Sequence, residues 1–168
     1  IEKYGGEALR LYFLTSKIMA GEDTAIAEAE IREQSRLLNV LHNSLQYYLT
    51  YNQLRPANIA KLKPSILDRW VLARVKELEH TVDTGLANFG FPAAAKAVRP
   101  LVEDLSTWYI RANRERFVAG DAAAFDTLGE ALRRLAVVVA PLLPFSAEVI
   151  YTALTALCNA KESVHLEN

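Results

Sequence analysis

Between Leu67 and Phe89 the apolar residues Leu67, Val71, Val75, Leu78, Val82, Leu86 and Phe89 return every three or four positions. That spacing puts all of them on one face of an α-helix, whereas a strand of period two would scatter them over both of its faces. A helix with a single apolar face must lay it against another element. The same period recurs along the chain. Ile31, Leu38, Leu41, Leu45 and Tyr48 predict a helix over residues 28–52, and Phe125, Leu128, Leu132, Leu135 and Val139 predict another. Ala94, Val98, Leu101, Leu105, Trp108 and Ala112 form a further stripe that starts near Pro92. A short element over residues 6–16 reads as a helix with a strand as its alternative, and a last helix is expected from Phe145 to Leu157. Connections are short, so an antiparallel helical bundle buries these stripes with the least irregular backbone, and the expected fold class is all-α.

Punctuation supports the same division. Ser65 stands three residues before Asp68, the spacing of a capping box, and Gly90 is expected to stop the helix that begins there. Pro92 suits a first helical turn, while Pro100 should kink or split the helix that contains it. Ala119-Gly120-Asp121 reads as a turn with Asp121 as N-cap. Pro56 and Pro64 mark a linker, Gly21, Asp23 and Thr24 a connector, and the tail from Glu162 is expected to be extended. This gives a connecting segment over 1–27, a bundle over 28–160 and an exit tail over 161–168.

At 168 residues and 51% hydrophobic content the chain supports one buried core and is too apolar for disorder. The longest apolar run, Leu135 to Phe145, is interrupted by Pro141 and Pro144 and falls short of the roughly 18 residues of a membrane span. No membrane association is expected. A lone cysteine, Cys158, excludes an intramolecular disulfide and reads as a small hydrophobe near a helix end, consistent with a reducing cytoplasm. The chain opens on Ile1 and its one methionine is Met19, which suggests a piece of a longer protein.

Catalytic signatures are missing. His42, His80 and His165 form no HExxH pattern, and no phosphate-cradling glycine loop or GxSxG elbow is present. Two polar constellations remain. Trp108 to Phe117 reads WYIRANRERF, with Arg111, Arg114 and Arg116 against the single acid Glu115. On a helix Arg111 and Arg114 share a face, with Trp108 one turn earlier. Guanidinium groups bind phosphates in bidentate fashion and stack on bases, so the cluster suits an RNA backbone. It equally suits a core tryptophan followed by arginines that complement the helix dipole and pair with Glu115 or Asp104. The stripe Arg32, Arg36, Asn39 and Asn43 is open to the same two readings, RNA contact or a solvated face. A net charge of −1 means that any polyanion must meet a local basic face, and it favours the rival reading of a helical protein-interaction scaffold.

Four strings taken together resemble isoleucyl-tRNA synthetases, a class I aminoacyl-tRNA synthetase family. IEKYGGEALRLYFLTS is similar to the segment after that family's KMSKS loop, LDRWVLARVKEL to the opening of a core anticodon-domain helix, DLSTWYIRANRERF to its most distinctive anticodon-domain string, and APLLPFSAEVIY followed by SVHLEN to its last bundle helix and strand-like exit. Valyl-, leucyl- and methionyl-tRNA synthetases share relatives of the shorter strings. The resemblance implies an all-α anticodon-binding bundle that holds the anticodon stem-loop of tRNA(Ile). Catalytic and editing domains of the same chain would lie outside it, with ATP and magnesium serving isoleucine activation and zinc bound further downstream. It implies no catalytic residue here, and tRNA-binding roles for Trp108, Arg111, Arg114 and Arg116 together with Arg32, Arg36, Asn39, His42 and Asn43. The chain departs from the family in carrying Ala112, Asn113 and Glu115 where relatives have more arginine, and His42 where related synthetases often carry tryptophan.

Overall fold

Val71, Val75, Leu78 and Val82 are all buried, on the inner face of a helix that runs from Ile66 to Ala87. A computed structural model describes residues 2–23, 25–53, 63–155 and 163–166. Its helices are α1 (Gly6–Thr15), α2 (Glu28–Asn52), α3 (Ile66–Ala87), α4 (Phe91–Glu103), α5 (Arg114–Val118), α6 (Ala122–Val139) and α7 (Pro144–Thr155). A π-helical segment, Asp104–Ile110, joins α4 towards α5, and no strand occurs among the described residues. The expected all-α bundle is what forms, and the strand alternative for the first element is excluded. Thr24, Pro56, Leu157 and Cys158 lie outside the described residues. None of the helices is long and apolar enough to cross a membrane.

The α3 helix packs against α4 and α6, α6 against α7, and α1 against α2 and α4. Phe125, Leu128, Leu132, Leu135 and Val139, the stripe read on α6, are each fully buried. Where α5 meets α6 the rings of Phe117 and Phe125 pack edge to face at 5.1 Å, and Tyr47 of α2 meets Phe117 at 5.4 Å. Such tilted aromatic contacts favour one relative placement of the helices over others of equal buried area. At the opposite side Glu7 of α1 accepts the Phe145 and Ser146 amides at 2.9 and 3.1 Å, setting a carboxylate on the positive end of α7.

Several ends differ from expectation. The capping box of α3 forms as read: Ser65 Oγ accepts the Asp68 amide at 3.1 Å and Asp68 Oδ2 accepts the Ser65 amide at 2.7 Å. Its far end is not stopped by a left-handed Gly90. Phe89 takes that role at φ 57, while Gly90 stays at φ −83. Gly90 donates to the Gly85 carbonyl at 2.7 Å and Phe89 to the Leu86 carbonyl at 3.1 Å, the paired bonds of a Schellman cap. A Cβ at Gly90 would sit 3.3 Å from the Gly85 oxygen, a tight contact that glycine avoids. Phe89 thereby leaves the core stripe and is exposed. Pro100 does not split α4, which continues to Glu103 before the π segment begins. The tail is not extended over Val164–Leu166, which form a 3-10 turn whose Val164 is buried and donates its amide to Glu148 at 3.0 Å.

A glycine inside α6 sets how closely α2 crosses it. A Cβ on Gly129 would come within 2.8 Å of Tyr48 Oη and 3.1 Å of its ring carbons. Alanine favours the helix over glycine by about 1 kcal/mol, yet overpacking a buried ring costs about 1–3 kcal/mol. Gly129→Ala is therefore expected to destabilise the bundle by about 1 kcal/mol in urea denaturation, and Tyr48→Phe in the same chain should shrink that penalty.

Candidate nucleic-acid interface

Asp68 is a carboxylate with no exposed surface at the first turn of α3. An isolated ion at that depth would be costly, so its oxygens must be met by donors. Oδ1 accepts from Tyr109 Oη at 2.7 Å and from Arg116 Nη1 at 2.8 Å, while Oδ2 accepts from Arg116 Nη2 at 2.9 Å as well as from the Ser65 amide. Arg116 also donates through Nε to Asp121 Oδ2 at 2.7 Å and through Nη1 to Asn113 Oδ1 at 2.8 Å. One guanidinium thus ties the start of α3 to α5 and to the N-cap of α6. Asp121 is that N-cap, accepting the Ala123 and Ala124 amides. Burial pushes the Asp68 pKa up, but the bonds from Arg116, Tyr109 and the Ser65 amide outweigh it and hold the carboxyl below its ordinary value. Its bond to Asp68 raises Arg116, and burial, reinforced by Asp68, raises the Tyr109 phenol.

Arg116 is therefore occupied internally, in contrast to the RNA-facing role expected of it. The buried carboxylate needs a counter-charge, and Arg116 supplies it. Arg111 and Arg114 differ: both are exposed and neither has a side-chain partner among the described residues. The pairing with Asp104 that sequence allowed does not form, because Asp104 accepts from Arg74 Nε at 2.9 Å.

The π segment sets how these side chains face. Leu101, Leu105, Tyr109, Asn113 and Phe117 are all buried, each four residues after the last. In an α-helix a step of four overshoots a full turn by about 40°, so such a series would wind off the core. The wider π turn keeps it in line. The expected stripe through Trp108 and Ala112 is overturned: Trp108 is 64% exposed, Ala112 is exposed, and Tyr109 holds the core position. Thr107 Oγ1 donates to the Glu103 carbonyl at 2.6 Å, and the Tyr109 carbonyl accepts both the Asn113 amide at 3.1 Å and Asn113 Nδ2 at 2.8 Å. Trp108, Thr107, Arg111 and Ala112 line an open depression of about 590 Å³.

Of the residues singled out on α2, Asn39 and Asn43 are exposed and His42 is half-buried. Arg36 pairs with Glu33 at 2.5 Å, and Arg32 Nε donates to Tyr4 Oη at 3.4 Å. Arg32 and Asn43 are about 16 Å apart along the helix axis, so the stripe does not converge on one point. Its later end approaches the arginine cluster. Asn43 lies one turn before Tyr47, whose hydroxyl is raised by burial and by Tyr51 and pulled back by nearby Arg114. Tyr47 Oη and Asn52 Oδ1 are buried and find no hydrogen-bond partner among the described residues.

One feature escaped the sequence. Arg36, Arg74, Arg99, Arg133 and Arg134 each pair with a carboxylate on their own patch of surface. Among the described arginines the side chains of Arg69, Arg111 and Arg114 alone have no partner. Arg69 follows Asp68 directly, at the end of the bundle that Arg116 ties to α5. No periodicity marked it, because its significance lies in the ion pair it does not make. No group of three or more His, Cys, Asp or Glu side chains among the described residues is placed to hold a metal.

Residues 68–168 match the family model described as the anticodon-binding domain of tRNA ligase. The chain is 34% identical to an isoleucine–tRNA ligase of Chlamydia muridarum, 33% to one of Bacillus thuringiensis and 31% to isoleucine–tRNA ligase 2 of Bacillus anthracis. These alignments take in 99–100% of the chain but 17% of each relative, so the chain spans about a sixth of the length of the curated relatives it matches.

A carboxylate whose pKa is lower in the folded chain than in the unfolded one stabilises the fold above its unfolded pKa, and that contribution fades as pH falls through the folded value. Asp68→Asn removes the charge and leaves Arg116 without its main partner, at an expected cost of about 3–5 kcal/mol near neutral pH. Urea midpoints followed from pH 7 downwards should show a smaller acid-induced loss in the variant than in the unaltered chain.

Proposed function

The chain belongs to the family of anticodon-binding domains of tRNA ligases, and on that premise we propose that it binds the anticodon stem-loop of an isoleucine-accepting tRNA. The observation that carries this reading is the distribution of unpaired guanidinium groups among the described residues. Every other described arginine is bonded where it stands, while Arg111, Arg114 and Arg69 keep their guanidinium donors free. A chain of net charge −1 can then meet a polyanion through a small basic face, without a basic surface overall. This removes the main support for the scaffold alternative, which rested on near-neutral total charge.

Arg111 and Arg114 act as phosphate ligands in this reading, with Arg69 extending the basic surface at the start of α3. Asn39, Asn43 and His42 on α2 form a second, polar wing whose nearer end reaches Arg114 by way of Tyr47. Arg32 and Arg36 are peripheral. Amino-acid activation with ATP and magnesium, editing and zinc binding fall to other parts of such a ligase. The contribution of this chain is to hold the far end of the tRNA in register, by phosphate contacts that position and by contacts to unstacked loop bases that discriminate.

Reversing charge at both arginines tests the proposal. Arg111→Glu with Arg114→Glu should weaken tRNA binding by at least about tenfold near 0.1 M salt and lower the slope of log affinity against log salt by about 1 to 2. Because both side chains are exposed and unpaired, the melting temperature should barely change. Equal affinity and an equal salt slope in filter binding overturn the assignment.

A further inference from the structure

We infer that Trp108 is a stacking platform for an unpaired RNA base, presented to solvent by the π turn of Asp104–Ile110. The inference rests on the RNA-binding reading and adds the kind of contact and the residue that makes it.

The indole is out of the core by construction. Three residues on from Leu105, an α-helix would place position 108 on the buried stripe. The π turn assigns that place to Tyr109, and the Tyr109 hydroxyl is anchored at 2.7 Å on Asp68, itself held by Arg116. This buried network locks the register that turns Trp108 outward. Exposing the largest apolar side chain forfeits burial that the same helix could have provided, so the arrangement is poorly explained by stability alone.

What surrounds the indole fits a nucleotide. Arg111 stands one turn further on and lines the same depression with its guanidinium free. Ala112 keeps that side low, so the depression lies open to solvent beside the indole. An aromatic face receives a base whatever its identity, and a cation at its edge receives the phosphate that follows. The other widely exposed aromatics lack this pairing. Phe145 has Glu148 and Val149 on its next turn, and Phe89 has Pro92 and Ala93 in the corresponding positions. The free guanidiniums favour an anionic occupant over an apolar protein segment.

Trp70 is the other of two tryptophans, so Trp70→Phe leaves Trp108 as the sole indole. In that background, the anticodon stem-loop of an isoleucine tRNA should quench the remaining fluorescence, and a fully paired RNA duplex of equal length should not. Trp108→Ala and Trp108→Leu should each weaken stem-loop binding about tenfold with the salt slope unchanged, whereas Trp108→Phe should keep most of the affinity. Equal quenching by the duplex, or full affinity in the alanine variant, overturns the inference. Should Trp108→Ala bind normally while the Arg111 and Arg114 reversals fail to bind, stacking is wrong and the RNA reading stands. Should all of these variants bind as the unaltered protein does, both are wrong.

Discussion

A carboxylate cannot sit dry inside a helical bundle unless donors surround it, and Asp68 obliges the rest of this molecule to supply them. It caps α3 through Ser65, takes the Tyr109 hydroxyl from the π segment and accepts both terminal nitrogens of Arg116. Four pieces of chain that are far apart in sequence thereby meet at one point: the start of α3, the π segment, α5 and, through Asp121, the start of α6. Apolar burial would tolerate small slides of these helices. Directional bonds to one carboxylate tolerate far less, so the ion pair contributes placement more than net stability.

Placement in turn decides which guanidinium groups are left over among the described residues. Arg116 is spent inside, and Arg74 is spent on Asp104 at the start of the π segment. Carboxylates take up Arg36, Arg99, Arg133 and Arg134, and Arg32 bonds the Tyr4 hydroxyl. Arg69, Arg111 and Arg114 remain, associated with the same end of the bundle. A surface that is nearly neutral in sum can still attract a polyanion when its pairing is uneven, because close pairs cancel over a few ångströms while an unpaired guanidinium keeps its field and its donors.

The π segment links this core to that surface. Holding Leu105, Tyr109, Asn113 and Phe117 in line rotates the intervening residues outward, and Trp108 and Arg111 are among them. The polar surface of the string WYIRANRERF is thus the reverse side of a constraint imposed from within. Its tyrosine and its last arginine serve the core, while its tryptophan and first two arginines face solvent.

Much of the architecture was legible in the residues alone. Apolar periods located α2, α3 and α6, the Ser65 and Asp121 caps formed where the side-chain types implied, and family strings identified the anticodon-binding domain. These features are local: a period or a cap depends on residues within one or two turns, and sequence displays that range directly. What the fold alone decided depends on partners distant in sequence. Sequence could not separate Arg116 from Arg111 and Arg114, because the distinction is made by Asp68, whose role as a buried acceptor appears only when α3 lies beside α5. Nor could it turn Trp108 outward, since a change from 3.6 residues per turn to a wider one is set by which side chains find bonds across the bundle. The pattern of residues determined that helices would form and which faces they would bury; the long-range ion pair determined which polar groups stayed free, because a charge is free or spent only in relation to its neighbours in space.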